Sequence, residues 1–182
     1  MYKSAFKAIS LFFAAYLLIA CSLSQPAAEV AKKGEVKWYT WEEAIEANKK
    51  EQKKIMVDIY TSWCGWCKVM DKKTFAKSDV ASYLNEHFYP VKLDAEQREA
   101  IEFDGHTFNF IESGRRGVHQ LAYSLLDGQM SYPAIVFLDG DVKRITISKG
   151  YTEAKDFMTQ LQFIEGNHYQ SQSFEQFKKD SK

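Results

Sequence analysis

From about Val36 onward the chain carries two hydrophobic rhythms. Ile55-Met56-Val57 and Ile59-Tyr60, around a single Asp58, predict a strand from Lys54 to Tyr60. Phe88 to Asp94 and Ala134 to Leu138 predict two more. A short strand is expected at Val36-Lys37-Trp38-Tyr39. It precedes Thr40-Trp41-Glu42-Glu43, a hydroxyl and a carboxylate three residues apart that fit a capping box. The helix begun there is expected to reach about Gln52. Val80, Tyr83, Leu84 and His87 fall at i, i+3, i+4 and i+7, one helical face, with His87 a wet rim residue rather than a ligand. Val118, Leu121, Ala122 and Leu125 share another such face, and Ala154, Phe157, Met158 and Leu161 mark a closing helix. Asp139-Gly140 is a tight hairpin signal between Ala134–Leu138 and a strand from Val142 to Ser148. After Gly166 the chain turns polar, with Phe174 and Phe177 as isolated aromatics, and a frayed tail is expected over 167–182. The whole reads as one α/β domain over 36–166.

Composition narrows the class. With 46% apolar and 15% aromatic residues the chain is globular, and 24 basic against 24 acidic side chains leave no electrostatic footprint for nucleic acid. Three cysteines are too few to staple a mini-domain, so each is read by itself. Lys3 and Lys7 precede an apolar run from Ala8 to Ala20, shorter than the roughly 20 residues of a membrane span and placed as a secretory signal is. Its end, Leu18-Ile19-Ala20-Cys21, resembles the lipobox of bacterial lipoproteins. That resemblance implies a signal peptide over 1–20, cleavage before Cys21, a diacylglycerol thioether on its sulfur and an acylated amine. Several acyl chains would hold the protein to a lipid bilayer, each buried methylene adding about 0.8 kcal/mol. An ordinary cleaved signal and an uncleaved anchor are the alternatives. Residues 21–35 then read as a lipidated N-terminus and tether. Cleavage takes Lys3 and Lys7 and no acid from the balanced count, so the mature chain is two charges negative. Ser22 after the cysteine, with no acidic cluster, leans by lipoprotein sorting rules toward an outer membrane, the domain facing the periplasm.

The chemistry is concentrated in Cys64-Gly65-Trp66-Cys67. A cysteine at the start of a helix meets unpaired N–H groups and the positive end of the macrodipole, which favour the thiolate, the form that attacks disulfides. Three residues on, Cys67 is within disulfide reach and can resolve the mixed intermediate. Cys64 is expected at the open, accessible end and Cys67 one turn in, shielded by Met70 and the neighbouring strand. Zinc sites use the same spacing, but a second CxxC is missing and the histidines at 87, 106, 119 and 168 offer no close ligand pair. An inert structural disulfide is the other alternative.

Val57-Asp58-Ile59-Tyr60-Thr61-Ser62-Trp63-Cys64-Gly65-Trp66-Cys67-Lys68 resembles the active-site strand, turn and helix of the thioredoxin superfamily, nearest to bacterial thioredoxin-related proteins with a WCGWCK segment. Ser131-Tyr132-Pro133-Ala134-Ile135-Val136-Phe137-Leu138 resembles that family's cis-proline turn entering a strand. The resemblance covers roughly Val36 to Glu165. It implies a central mixed sheet flanked by helices, a redox-active Cys64–Cys67 disulfide, and Asp58 as proton relay for the resolving cysteine. It also implies that Pro133 presents the backbone of Tyr132 to the substrate. Trp63, Gly65, Trp66, Tyr132 and Pro133 are the expected substrate contacts, Trp63 mainly a packing residue and Trp66 mainly a surface one. Lys68 reads as a solvated helix residue.

Two departures stand out. Thioredoxin has Gly-Pro between its cysteines, and this chain has Gly65-Trp66, a dipeptide that tunes a potential ranging in this fold from about −270 mV to about −120 mV. Between Asp94 and Pro133 lie 38 residues, an insertion over about 97–130 before the cis-proline strand. Within it Phe103-Asp104-Gly105-His106 predicts a hairpin turn, with Ile101, Phe108 and Phe110 as strand residues, and Ser113-Gly114-Arg115-Arg116-Gly117 an exposed basic loop. The expectation is a membrane-tethered thiol–disulfide oxidoreductase, more a reductant than an oxidant, acting on client proteins with disulfides. It would need no metal or organic cofactor and would be recharged by a membrane dithiol donor. Its rivals are a disulfide oxidase or isomerase, and a binding lipoprotein or dithiol metal chaperone that uses the fold as a scaffold.

Overall fold

The computed structural model describes residues 34–113 and 116–181. The signal peptide, Cys21, most of the tether and two residues of the basic loop lie outside them. Thr40 caps α1 (Trp41–Lys50) as a full capping box, its hydroxyl taking the Glu43 N–H while the Glu43 carboxylate takes the Thr40 N–H. After β1 (Lys54–Tyr60), helix α2 (Gly65–Met70) runs on into a π-helical turn, Asp71–Phe75, and α3 (Ser78–His87) leads to β2 (Phe88–Asp94). β1 and β2 are parallel and in full register, as a crossover through helices requires. β7 (Ala134–Leu138) lies antiparallel on the other side of β1, and β8 (Arg144–Lys149) pairs with β7, giving the mixed order β2-β1-β7-β8. The chain closes with α5 (Ala154–Glu165), a 3-10 turn (His168–Gln170) and α6 (Phe174–Asp180).

The pleat sorts side chains between two cores. Ile55, Val57 and Ile59 of β1 face one core with Val91, Leu93, Val136 and Trp41. Met56 faces the other, with Phe88 of β2, Ile135 and Phe137 of β7, and Met70, Phe75, Leu84 and Phe157 from α2, the π turn, α3 and α5. Asp58, two residues after Met56, falls on this second face.

The expected strands at Lys54–Tyr60, Phe88–Asp94 and Ala134–Leu138 stand at those bounds. Val36–Tyr39 is not a strand. Only Tyr39 pairs, as a parallel bridge to Val91 at the outer edge of β2, which is where Pro90 can sit without breaking a central ladder. The inserted segment forms β3 (Ile101–Phe103) and β4 (His106–Phe108) around Asp104-Gly105, both at positive φ as a two-residue hairpin turn demands. Phe110 belongs to a second ribbon, β5 (Phe110–Ile111) with β6 (Val118–His119), so Val118 is a strand residue and α4 is Gln120–Leu125. Gly117 is required there: a Cβ would lie 2.0 Å from the Phe110 ring and 2.5 Å from the Ile111 carbonyl oxygen. The turn after β7 is wider than Asp139-Gly140 alone, because the Asp139 carboxylate takes the N–H groups of Asp141 and Lys143. Val142 is consequently in the turn at positive φ, and β8 starts at Arg144.

Candidate active site

Cys64 is the N-cap residue of α2, and its Sγ takes the Cys67 N–H at 3.1 Å, the place where a helix start stabilises sulfur-centred charge. The two cysteines are joined as a disulfide with Cα atoms 5.3 Å apart. In this oxidised form the expected contrast in access is absent, since Cys64 is 5% and Cys67 3% exposed. The bond draws the Cys64 sulfur over the first turn. Met70, one turn beyond Cys67, does pack into the core beneath.

Around the disulfide lies an aromatic rim. Trp66 is 60% exposed and tilts against Tyr151, and with Tyr132, Pro133 and Gly150 they line an apolar groove of about 260 Å³. The Tyr132–Pro133 peptide bond is cis, as the resemblance implied. Trp63 departs from its expected packing role, being 49% exposed. Its ring meets Tyr132 edge-on at 5.8 Å, and its Nε1–H donates to both carboxylate oxygens of Glu96. Arg116, from the inserted segment, lies over the same ring at 4.3 Å and within 3.8 Å of Glu96. The insertion therefore touches the rim directly, a contact no spacing in the sequence announced. Gly65 is exposed beside Trp66 with open space at its Cβ position, so the rim stays low there. Burial first, then Glu96 and Asp94, push the Tyr132 hydroxyl up to about 12, so it stays a neutral donor at working pH.

Beneath the helix Asp58 is 1% exposed and does not stand alone. Lys92, its partner across the parallel β1–β2 register, places Nζ 2.7 Å from Asp58 Oδ2, and Asp58 Oδ1 has no hydrogen-bond partner among the described residues. Burial raises the Asp58 carboxyl to about 6 against the pull of Lys92, which puts it in the range where a carboxylate exchanges protons near neutrality. Sequence reading missed Lys92. An in-phase lysine opposite a strand aspartate was the available signal, but it needed the pairing register. It also missed His119, a fully buried N-cap of α4 whose Nδ1 takes the Leu121 N–H while Nε2 lies 3.1 Å from the Glu99 carbonyl oxygen. His119 ties the start of the insertion, at Glu99, to α4 within it, and burial keeps its ring toward the neutral form.

Lys68 is exposed on α2. Among the described residues no group of three or more His, Cys, Asp or Glu side chains converges, and no helix is long and apolar enough to cross a membrane.

Comparison with known proteins places this arrangement. Residues 24–180 match the family described as "Thioredox_DsbH: Protein of unknown function, DUF255", and the chain belongs to that family. The uncharacterized protein B0495.5 of Caenorhabditis elegans is 31% identical over 112 residues, 61% of this chain and 13% of that protein. Spermatogenesis-associated protein 20 of Rattus norvegicus is 37% identical over 68 residues, 37% of this chain and 9% of that protein. The chain thus spans no more than 13% of the length of these curated relatives. In fold it is similar to a DsbH oxidoreductase, with TM-score 0.51 and 18% identity over 78% of this chain and 90% of that one. A thioredoxin from Thermus thermophilus superposes with TM-score 0.54 at 16% identity, covering 71% and 87%. The fold is therefore thioredoxin-like, and it carries a CxxC pair at the start of α2.

Proposed function

We propose that this family member is a membrane-tethered thiol–disulfide oxidoreductase that works as a reductant of protein disulfides. The carrying observation is a Cys64–Cys67 disulfide at the first turn of α2, with the flanking Trp63 and Trp66 in contact with cis Tyr132–Pro133. In the reduced protein the Cys64 thiolate attacks one sulfur of a client disulfide. A Cys64–client bond forms, and the other client sulfur leaves as a thiolate and takes up a proton. Cys67 then gives its proton to Asp58 and attacks Cys64 Sγ, which closes the internal disulfide and expels the second client thiolate. Two electrons pass from the dithiol to the client, and the resulting state is the one described. A dithiol donor on the membrane returns them by the reverse exchange. The rim groove suits an extended client segment laid against the Tyr132 backbone, a β-like contact. Buried Asp58 is the acceptor for the proton that each reduction must move, and it returns that proton when the donor recharges the pair.

Tethering rests on Leu18-Ile19-Ala20-Cys21 and on the polar stretch before the fold, and the bacterial envelope, domain toward the periplasm, is the location that reading supports. The decisive experiment is the potential of the Cys64–Cys67 couple titrated against glutathione, with insulin reduction alongside. A value near or below about −230 mV with insulin reduction is expected. A value near about −120 mV would make the protein an oxidant. Cys67→Ala should hold clients as mixed disulfides on Cys64, and Cys64→Ala should hold few or none. Accumulation on Cys67 instead would reverse the roles of nucleophile and resolver.

A further inference from the structure

Lys92 serves two carboxylates. Its Nζ is 2.7 Å from Asp58 Oδ2 and also donates to Asp71 Oδ1 in a short charged contact. Its charge also lies over the rings of Trp38, Tyr60 and Phe75, at 4.7, 5.1 and 5.4 Å, so the ammonium is held in place by aromatic faces as well as by anions. The two carboxylates differ sharply in setting. Asp58 is buried in the sheet. Asp71 is 42% exposed at its side chain and opens on a groove of about 410 Å³ lined by Trp38, Phe75, Ala76 and Lys92. Asp71 also begins the π-helical turn, and its N–H donates to the Cys67 carbonyl oxygen one turn back on the cysteine helix. A wide turn inserted into a helix commonly marks a working site.

We propose that Asp71 is a positioning residue for the thiol step: standing one turn after the resolving cysteine, it shares Lys92 with Asp58 and draws the ammonium toward the surface groove, which leaves the buried carboxylate free to take and return the Cys67 proton. This rests on the reading of Asp58 as the proton acceptor for Cys67. A lysine committed to Asp58 alone would bind its negative charge firmly and make it a weak base. Shared with Asp71, the same lysine prevents an uncompensated buried charge without holding the carboxylate shut. The unpartnered Asp58 Oδ1 is the oxygen left to receive a proton. The charged and titratable groups near this network are Lys92 from β2, Asp71 from the π turn, Tyr60 at the end of β1, Asp94 at the end of β2, and Glu35, which lines the same groove as Asp71 and Lys92. The buried side chains around it on that sheet face, Met56, Phe75, Ile135 and Phe157, are apolar.

The test titrates Asp58 itself by carbon NMR of its carboxyl, in oxidised wild type, Asp71→Asn, Asp71→Glu, Lys92→Met and the Lys92→Met/Asp71→Asn double variant. Removing the Asp71 charge should move the Asp58 midpoint down by about one unit. Stopped-flow release of a Cys64-bound mixed disulfide at pH 7 should slow about threefold, as a weaker base predicts. Asp71→Glu should restore both. In the Lys92→Met background the Asp71→Asn shift should shrink by at least half, since there is no longer a cation to share. Equal Asp58 midpoints in wild type and Asp71→Asn, both folded, would overturn the proposal. An Asp58 that shifts in a protein whose disulfide never exchanges with clients would uphold the sharing and instead sink the proposed function.

Discussion

An ionised carboxylate at 1% exposure is tolerable in Asp58 only because Lys92 reaches it, and even so burial outweighs the lysine and the group titrates at about 6 rather than 3.8. The folded state therefore holds this proton more tightly than the unfolded chain does. Its contribution to stability is fully present below about pH 4 and is lost as pH rises through 6, a difference of about 3 kcal/mol at neutral pH. Asp58→Asn should accordingly be the more stable protein at pH 7 to 8, by up to that amount, with the gain fading by pH 4. Lys92 stays paired to Asp71 in the variant. Urea unfolding of the oxidised proteins at pH 4, 6 and 8 reads the effect, and a constant difference across the series would refute it. The same variant should reduce client disulfides more slowly, most of all at neutral pH, because Cys67 loses its acceptor.

At the scale of elements, the segment after Gly166 shows what a pattern read along one dimension omits. Phe174 and Phe177 look isolated in a polar tail, yet they fall three apart on one face of α6, and both pack on Phe163 of α5 with ring centroids 5.4 Å away. His168 stacks on Phe177, and Lys178 pairs with Asp156 at 3.0 Å. The tail is docked because both rings pack on Phe163 of α5 and help bury it in the core. Ending the chain after Gly166 should uncover that ring and cost about 2 kcal/mol, read as a lower thermal midpoint by circular dichroism. An unchanged midpoint would mean α6 adds nothing to the fold. Val118 tells the converse story: its spacing fits the α4 face, but pairing with Ile111 takes it into β6.

For the whole molecule, the sheet separates two jobs. One face packs against α1 and the β3–β4 ribbon; the other carries the cysteine helix over Asp58 and Lys92, with α3 and α5 completing its core. The proposed anchor, Cys21, and the redox pair, Cys64 and Cys67, stand in different segments of the chain. Cys21→Ser should therefore release the protein from membranes, or block its processing, while leaving the potential of the Cys64–Cys67 couple unchanged. Membrane fractionation and intact-mass spectrometry check the first point, and an unmodified Cys21 in wild type would end the anchoring proposal.

What the sequence determined by itself was the local chemistry and the strands around it. Lys54–Tyr60, Phe88–Asp94 and Ala134–Leu138 are legible because continuous apolar runs bounded by turns have few other uses, and the cysteine spacing and Tyr132-Pro133 are local signatures. Tertiary structure alone decided what those residues meet. The parallel register set Lys92 opposite Asp58, the π turn brought Asp71 to the same ammonium, and the insertion folded back so that Arg116 stacks on Trp63. Each contact joins residues from different elements, 20 or more positions apart in the chain. Periodicity reports which way a side chain faces within its own element, but not which partner the packing of two elements delivers to it.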